Sequence, residues 1–188
     1  MSQQALLTRI VEALDGAGIP YMLTGSLASS LQGEPRATHD IDLVIDIAPG
    51  DVTRVTRALS APEVCLDEQA VGDAARHRTM FNLIDSSSGD KADFWLLTDE
   101  PFDRARFSRR LRVEALGLEV CVSAPEDTIL MKLRWSAQAG GSEKQMGDAL
   151  RVYELQAGAL DERYLDAWAT RLEVAATLAD IRRAARVS

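Results

Sequence analysis

Cysteine is scarce in this sequence. Two residues, Cys65 and Cys121, lie far apart in apolar, strand-like stretches, with no CxxC pair and no histidine close by. That arrangement suggests neither a zinc site nor a disulfide framework, and it leads to the expectation of two free thiols buried in the core. Long hydrophobic runs are also missing. No stretch approaches the ~18–20 apolar residues that span a bilayer. The start, MSQQALLTRI, has neither a basic leader nor a small-residue cleavage site. A cytoplasmic location without a membrane partner is therefore expected. Nor is positive charge in excess. The net charge is -8, which argues against broad nucleic-acid binding, because phosphate contacts need clustered Lys and Arg. The one local exception is RARFSRRLR, residues 104–112, which reads either as a contact for an RNA backbone or as a solvated edge strand guarded by charge.

What remains is an ordinary globular mix, 46% apolar and 27% charged, which excludes disordered and fibrous classes. At 188 residues the chain can build one good core, or one domain with a helical appendage. Leu6, Leu7, Ile10, Val11 and Leu14 fall at helical spacing within residues 4–17, and Gly16 and Gly18 close that helix. A short strand over Tyr21 to Thr24 leads into Gly25-Ser26 and a brief helix to about Gln32. IDLVIDI, residues 41–47, is rich in β-branched side chains and reads as a strand, followed by a helix over 51–60. TMFNLID and ADFWLL, separated by SSSGDK, read as a hairpin, and residues 110–122 as a second strand pair around Gly117. From Pro125 onward the period is helical, over 126–138, 143–156, 161–170 and 173–186. The expected architecture is α/β (α+β): an α/β core over residues 1–124 and a helical part over 125–188, forming one compact body.

The chemistry concentrates in LTGSLASSLQGEPRATHDIDLVIDI, residues 23–47. Side chains at i and i+2 of a strand share a face, so Asp40 and Asp42 project together while Ile41, Leu43 and Ile45 fill the core. Two carboxylates held so close repel unless a cation sits between them. Hard oxygen ligands in small number suit Mg2+, with waters and substrate phosphates completing the octahedron. Two-metal phosphoryl chemistry usually needs a third carboxylate, and Asp93 opens an apolar run just as Asp42 does. Asp46 shares the face of Asp40 and Asp42 but lies toward the other end of the strand. Gly25 and Ser26 supply the complement, a backbone able to approach a phosphate and a helix start that aims free N–H groups at it. Taken singly, Gly-Ser is an N-cap, a lone DxD a solvated strand edge and Asp93 a turn residue. Their order and spacing together give the reading its weight.

That set resembles the DNA polymerase β-like nucleotidyltransferase superfamily. The form R-x-T-x-D-I-D-L, Arg36 to Leu43, is most similar to its AbiEii toxin-like branch, which includes the MenT toxins. EDTILMKLRWSAQAGGSEKQMGDALRVYEL, residues 126–155, is similar to that branch's second signature, with Lys132 preceding Asp148 on the next helix, and LDERYLDAWATRLEV, residues 160–174, to its closing segment. The first motif reads Gly-Ser where many members have Gly-Gly. The resemblance implies a small mixed sheet with flanking helices and a helical C-terminal part. It also implies that Asp40 and Asp42 bind Mg2+ or Mn2+, with Asp93 as third ligand or general base. Gly25, Ser26, Arg36 and Thr38 would contact the NTP, and Lys132 its phosphate with Asp148 beside it. Physically, Lys132 and Arg134 emerge among Leu130, Met131, Leu133 and Trp135, so the ammonium needs an anionic partner or a path to water. Ser142 is positioned as an N-cap with Gln145 completing a capping box.

The expected activity is transfer of NMP from an NTP to a hydroxyl acceptor. The branch resemblance suggests a tRNA 3′ end as acceptor and a toxin-antitoxin role with an antitoxin partner. A small-molecule nucleotidyltransferase of the aminoglycoside-modifying kind is the nearest rival. A catalytically silent nucleotide-binding antitoxin or regulatory module is another. A DxD glycosyltransferase also pairs aspartates around a metal, but the Gly-Ser turn upstream is foreign to it.

Overall fold

The structure is a computed structural model and describes residues 2–35, 38 and 40–186. Among them the elements are α1 (Gln3–Gly16), β1 (Tyr21–Thr24), α2 (Gly25–Gln32), β2 (Asp40–Ile45), α3 (Val52–Leu59), β3 (Val64–Leu66), α4 (Glu68–His77), β4 (Met80–Asp85) and β5 (Lys91–Leu96), then α5 (Pro101–Ser108), β6 (Leu111–Ala115), β7 (Leu118–Val122), α6 (Pro125–Gln138), α7 (Glu143–Gln156), α8 (Glu162–Arg171) and α9 (Ala175–Ala184). No helix among the described residues is long and apolar enough to cross a membrane. The chain divides into two compact units, one of residues 1–24 and 38–122, the other of residues 25–37 and 123–188. The second unit thus joins α2, from the N-terminal half of the chain, to the helices that follow β7.

The first unit carries a seven-stranded mixed sheet in the order β3-β4-β5-β2-β1-β7-β6. At its centre β2 runs parallel to β5 and antiparallel to β1. Ile41, Leu43 and Ile45 of β2 and Ala92, Phe94 and Leu96 of β5 are buried, as are Phe81 and Leu83 of β4. Phe81 and Phe94 stack with ring centroids 4.9 Å apart. This alternation is the period-two pattern of a strand with one buried face, and it fixes which residues stand on the other side. On that second face Met22, Val44 and Leu97 cluster with Phe107 of α5.

Three elements lie outside the sequence expectations: β3, α4 and α5. Within 104–112, Arg104 to Ser108 belong to α5 and only Leu111 and Arg112 to a strand, so the stretch is not an edge strand alone. The residues 51–60 divide into a short 3-10 turn, Pro49–Asp51, and α3, and β2 begins one residue earlier than expected and ends at Ile45. Neither cysteine is a buried core thiol. Both are free, but Cys65 is exposed on β3 and Cys121 half-buried on β7, because strands near a sheet edge leave one row of side chains at the surface. The hairpin loop is organised by Asp85, whose Oδ1 accepts from Ser87 N at 2.8 Å and Ser87 Oγ at 2.6 Å. Those bonds, the Ser87 hydroxyl first, lower its pKa.

In the helical unit α6 is buried along nearly its whole length and packs on α7, α2 and α8. Pro125 starts it at a position where the missing N–H costs nothing, and Glu126 and Asp127 in the first turn suit the positive end of the helix. Ser142 does cap α7, accepting from Gln145 N at 3.5 Å. Gln145 Oε1 stays unpaired, so half of the expected capping box forms. The tightest backbone approach is at Gly33, where an added Cβ would sit 3.0 Å from Ser29 O, 3.1 Å from Val152 N and 3.2 Å from Arg151 C. All three are backbone atoms and cannot swing away. Gly33→Ala is therefore expected to destabilise the protein by ~1–3 kcal/mol in urea unfolding, and an unchanged midpoint would show that α7 can shift freely.

Candidate active site

The acidic residues expected from the sequence are brought onto neighbouring strands. Asp42 pairs with Asp93 across the parallel β2–β5 ladder, and Asp40 with Lys91. Since i and i+2 share a face, Asp40, Asp42, Lys91 and Asp93 stand together on the side of the sheet away from Ile41, Leu43, Ala92 and Phe94. The row continues on both sides. Asp42 pairs with Thr24 of β1 and Asp93 with Asn82 of β4, so four polar residues cross four strands at one level. Burial falls outward from the centre of the pair. Asp93 is buried, Asp42 half-buried and Asp40 exposed. Asp46 stands apart, with Arg104 at 3.4 Å and Arg78 at 3.8 Å, as its place toward the other end of the strand implied.

Lys91 is a participant that motif reading passed over. Its Nζ lies 2.9 Å from Asp93 Oδ2, and its pKa is raised by that hydrogen bond first and by the charges of Asp93, Asp40 and Asp42. The signal was present as Lys-x-Asp in KADFWLL, but it gains meaning only once the register places Asp40 opposite. Asp93 Oδ1 is buried and has no hydrogen-bond partner, an open acceptor beside two further carboxylates. These are donors of the type a hard divalent cation takes. Among the described residues, however, no three His, Cys, Asp or Glu side chains are gathered tightly enough to hold a metal as they stand. The donor set fits Mg2+ in chemistry, with the Lys91 ammonium standing on one of its oxygens.

The helical unit carries other residues singled out in the sequence. Gly25 adopts φ 68°, the left-handed region that a Cβ disfavours, as the chain passes from β1 into α2. This explains why glycine stands at the helix start, where free N–H groups collect. Ser26 and Thr38 are half-buried. Arg36 lies outside the described residues. Lys132, only 1% exposed, pairs with Asp148 at 2.7 Å and sits 5.7 Å from the Trp135 ring centroid. Ser29 Oγ lies 3.5 Å from Asp148 Oδ2. The lysine of the second signature thus has the anionic partner its apolar surroundings require, inside the protein. A cavity of about 380 Å3 borders Asp148, lined also by Ser29, Glu143, Lys144 and Arg151.

The basic stretch is largely spent on internal pairs. Arg104 also reaches Asp99 at 2.5 Å, Arg106 pairs with Asp103 at 2.9 Å, and Arg112 meets Asp15 at 3.2 Å and Glu119 at 3.1 Å. Arg110 donates to the Phe107 carbonyl at 2.5 Å and lies over that ring.

Comparison with known proteins bears on the fold. Residues 6–86 match the family model of aminoglycoside-2″-adenylyltransferase, a span that holds Gly25, Ser26, Asp40 and Asp42 and stops before Asp93. No curated protein is a significant match. Among solved structures, ANT(2″)-Ia in complex with adenylyl-2″-tobramycin aligns over 92% of this chain and 98% of its own, at 14% identity and a TM-score of 0.60. The fold is nucleotidyltransferase-like. A solution structure of the same antibiotic-resistance factor aligns over 96% of this chain and 97% of its own, with 17% identity and a TM-score of 0.54. An antigenic nucleotidyltransferase-like protein from Paracoccidioides brasiliensis aligns over 100% of this chain and 95% of its own, at 19% identity and a TM-score of 0.54. On this nucleotidyltransferase-like frame, the paired aspartates head the central strand β2.

Removing one partner of a buried ion pair leaves a charge without its counter-ion, at a cost of ~3–5 kcal/mol, whereas replacing both with apolar groups is often neutral. Asp148→Ala is accordingly expected to lower unfolding stability by about that amount, and the double variant Lys132→Met, Asp148→Leu to recover most of it in chemical denaturation.

Proposed function

We propose that this protein is a Mg2+-dependent nucleotidyltransferase that moves NMP from an NTP to a hydroxyl on a small molecule. The observation that carries the proposal is the in-register set Asp40, Asp42 and Asp93 on the polar face of β2 and β5, on a nucleotidyltransferase-like fold. Asp40 and Asp42 would hold the metal ion, with Asp93 as third ligand or as general base. A divalent ion bound there would neutralise phosphate charge and align the attacking and leaving oxygens. The acceptor oxygen forms a bond to the α-phosphorus, the bond from that phosphorus to the bridging oxygen breaks, and pyrophosphate departs with the electron pair. The hydroxyl proton passes to a carboxylate or water. Positioning and charge compensation supply most of the acceleration in such transfers.

Gly25 and Ser26, at the N-terminus of α2, are assigned to the nucleotide phosphates, together with Arg36 and Thr38 from the first motif. Lys132 and Asp148 are placed beside the phosphates by the motif resemblance alone, and as a buried pair they are assigned a positioning part rather than direct phosphate contact. A small acceptor is favoured over a tRNA 3′ end by three observations. The family model matched is that of an aminoglycoside adenylyltransferase, and the arginines at 104, 106 and 112 that an RNA backbone would need are engaged with Asp46, Asp99, Asp103, Asp15 and Glu119. The net charge of -8 also attracts a cationic acceptor and repels a polyanion. The AbiEii-like reading, with an RNA acceptor and an antitoxin, rests on the sequence motifs.

Asp42→Asn keeps the shape of the side chain and removes its charge. It is expected to retain the wild-type circular dichroism spectrum while losing about 10³-fold or more in transfer of label from α-labelled NTP. Labelling by that variant at the wild-type rate would overturn the assignment. Offering amino sugars and deacylated tRNA as competing acceptors is expected to label the former, and labelling confined to RNA would reverse the choice of acceptor.

A further inference from the structure

The polar face already holds a cation of its own. Lys91 is opposite Asp40 in the β2–β5 register and two residues before Asp93, so one ammonium serves three carboxylates on a single face. Its Nζ sits 2.9 Å from Asp93 Oδ2, with 38% of the lysine side chain exposed against 12% of the aspartate. The ammonium therefore closes over Asp93 from the solvent side, on a flexible four-carbon stem that can swing away. The second oxygen, Oδ1, is buried without a hydrogen-bond partner. Three carboxylates against one ammonium leave two negative charges, the charge of one divalent ion.

We infer that Lys91 is a resident counter-ion that competes with the divalent metal for Asp93, so that Asp93 becomes a third metal ligand only when the ammonium leaves it. This rests on the metal-dependent reading above and deepens it. Because Oδ1 is buried, an ion arriving from solvent meets Oδ2, the oxygen Lys91 holds, and a metal–oxygen bond of ~2.0–2.1 Å for Mg2+ there brings the ion too close to the ammonium for both to stay. Lys91 quenches the repulsion among the three carboxylates, and its release couples arrival of the metal to completion of the ligand set.

Binding of Mn2+ to the full-length chain without nucleotide, read from the electron paramagnetic resonance signal of free Mn2+, tests this without any turnover. Lys91→Met and Lys91→Gln are both expected to bind Mn2+ about tenfold or more tightly, because a like charge beside the ion is removed. In an Asp93→Asn background the same Lys91 substitutions are expected to give little gain, since the contested ligand is gone and the two changes are coupled. Neutral variants that bind no tighter, or a gain that survives Asp93→Asn undiminished, would overturn the inference. In the second case Lys91 acts only as a charge at a distance. Asp42→Asn separates the two levels. Mn2+ binding that ignores Asp42→Asn removes the metal-dependent reading itself, whereas binding that needs Asp42 and is indifferent to Lys91 removes only the competition.

Discussion

Like charges forced onto one face of a sheet repel, and the placement of Asp40, Asp42 and Asp93 makes that repulsion the constraint on which the site depends. The strands do not yield to it because their other face is committed. Ile41, Leu43, Ile45, Ala92, Phe94 and Leu96 are all buried, and a slip of one residue would exchange the two faces and bury the acids. Apolar burial on one side thus holds the acidic face together on the other. A cation is the cheapest relief, and Lys91 provides part of it.

The same division of labour recurs in the helical unit at a different scale. α6 buries apolar side chains along most of its length, and the one ammonium among them, on Lys132, is met by Asp148 from α7. Such a pair adds little net stability but is costly to break, so it selects one alignment of α6 against α7. Gly33 enforces closeness one turn further along α7, beside Arg151 and Val152, where no Cβ fits. Ion pairing and backbone approach together fix the setting of Ser29 and Asp148 around their cavity.

Much of this was legible in the sequence where a pattern is carried by large side chains. β1 was delimited to the residue, and the apolar period after Pro125 located all four C-terminal helices, because Leu, Ile and Val at fixed spacing leave few alternatives. α4 escaped because its buried face is Val71, Gly72, Ala74 and Ala75, small residues with a weak hydrophobic signal. α5 escaped because its arginines read as a basic patch, although Arg106 is buried on Asp103. Of the site, Asp40, Asp42 and Asp93 could be named in advance since each sits in or at the head of an apolar run. Lys91, Asn82 and Thr24 could not, because a residue opposite another across a sheet is defined by register, which pairs positions far apart in the chain. The cysteines show the same limit. An apolar neighbourhood in sequence does not say whether a strand lies near an edge.

If an acidic face held by apolar burial exists to take a divalent ion, the ion should be found there. Anomalous diffraction from crystals grown with Mn2+ and a non-hydrolysable triphosphate measures this most directly. A manganese peak within bonding distance of Asp40 and Asp42, with phosphate oxygens completing its coordination, is the expected result. A face without such a peak, its carboxylates turned to solvent while nucleotide binds elsewhere, would contradict the account.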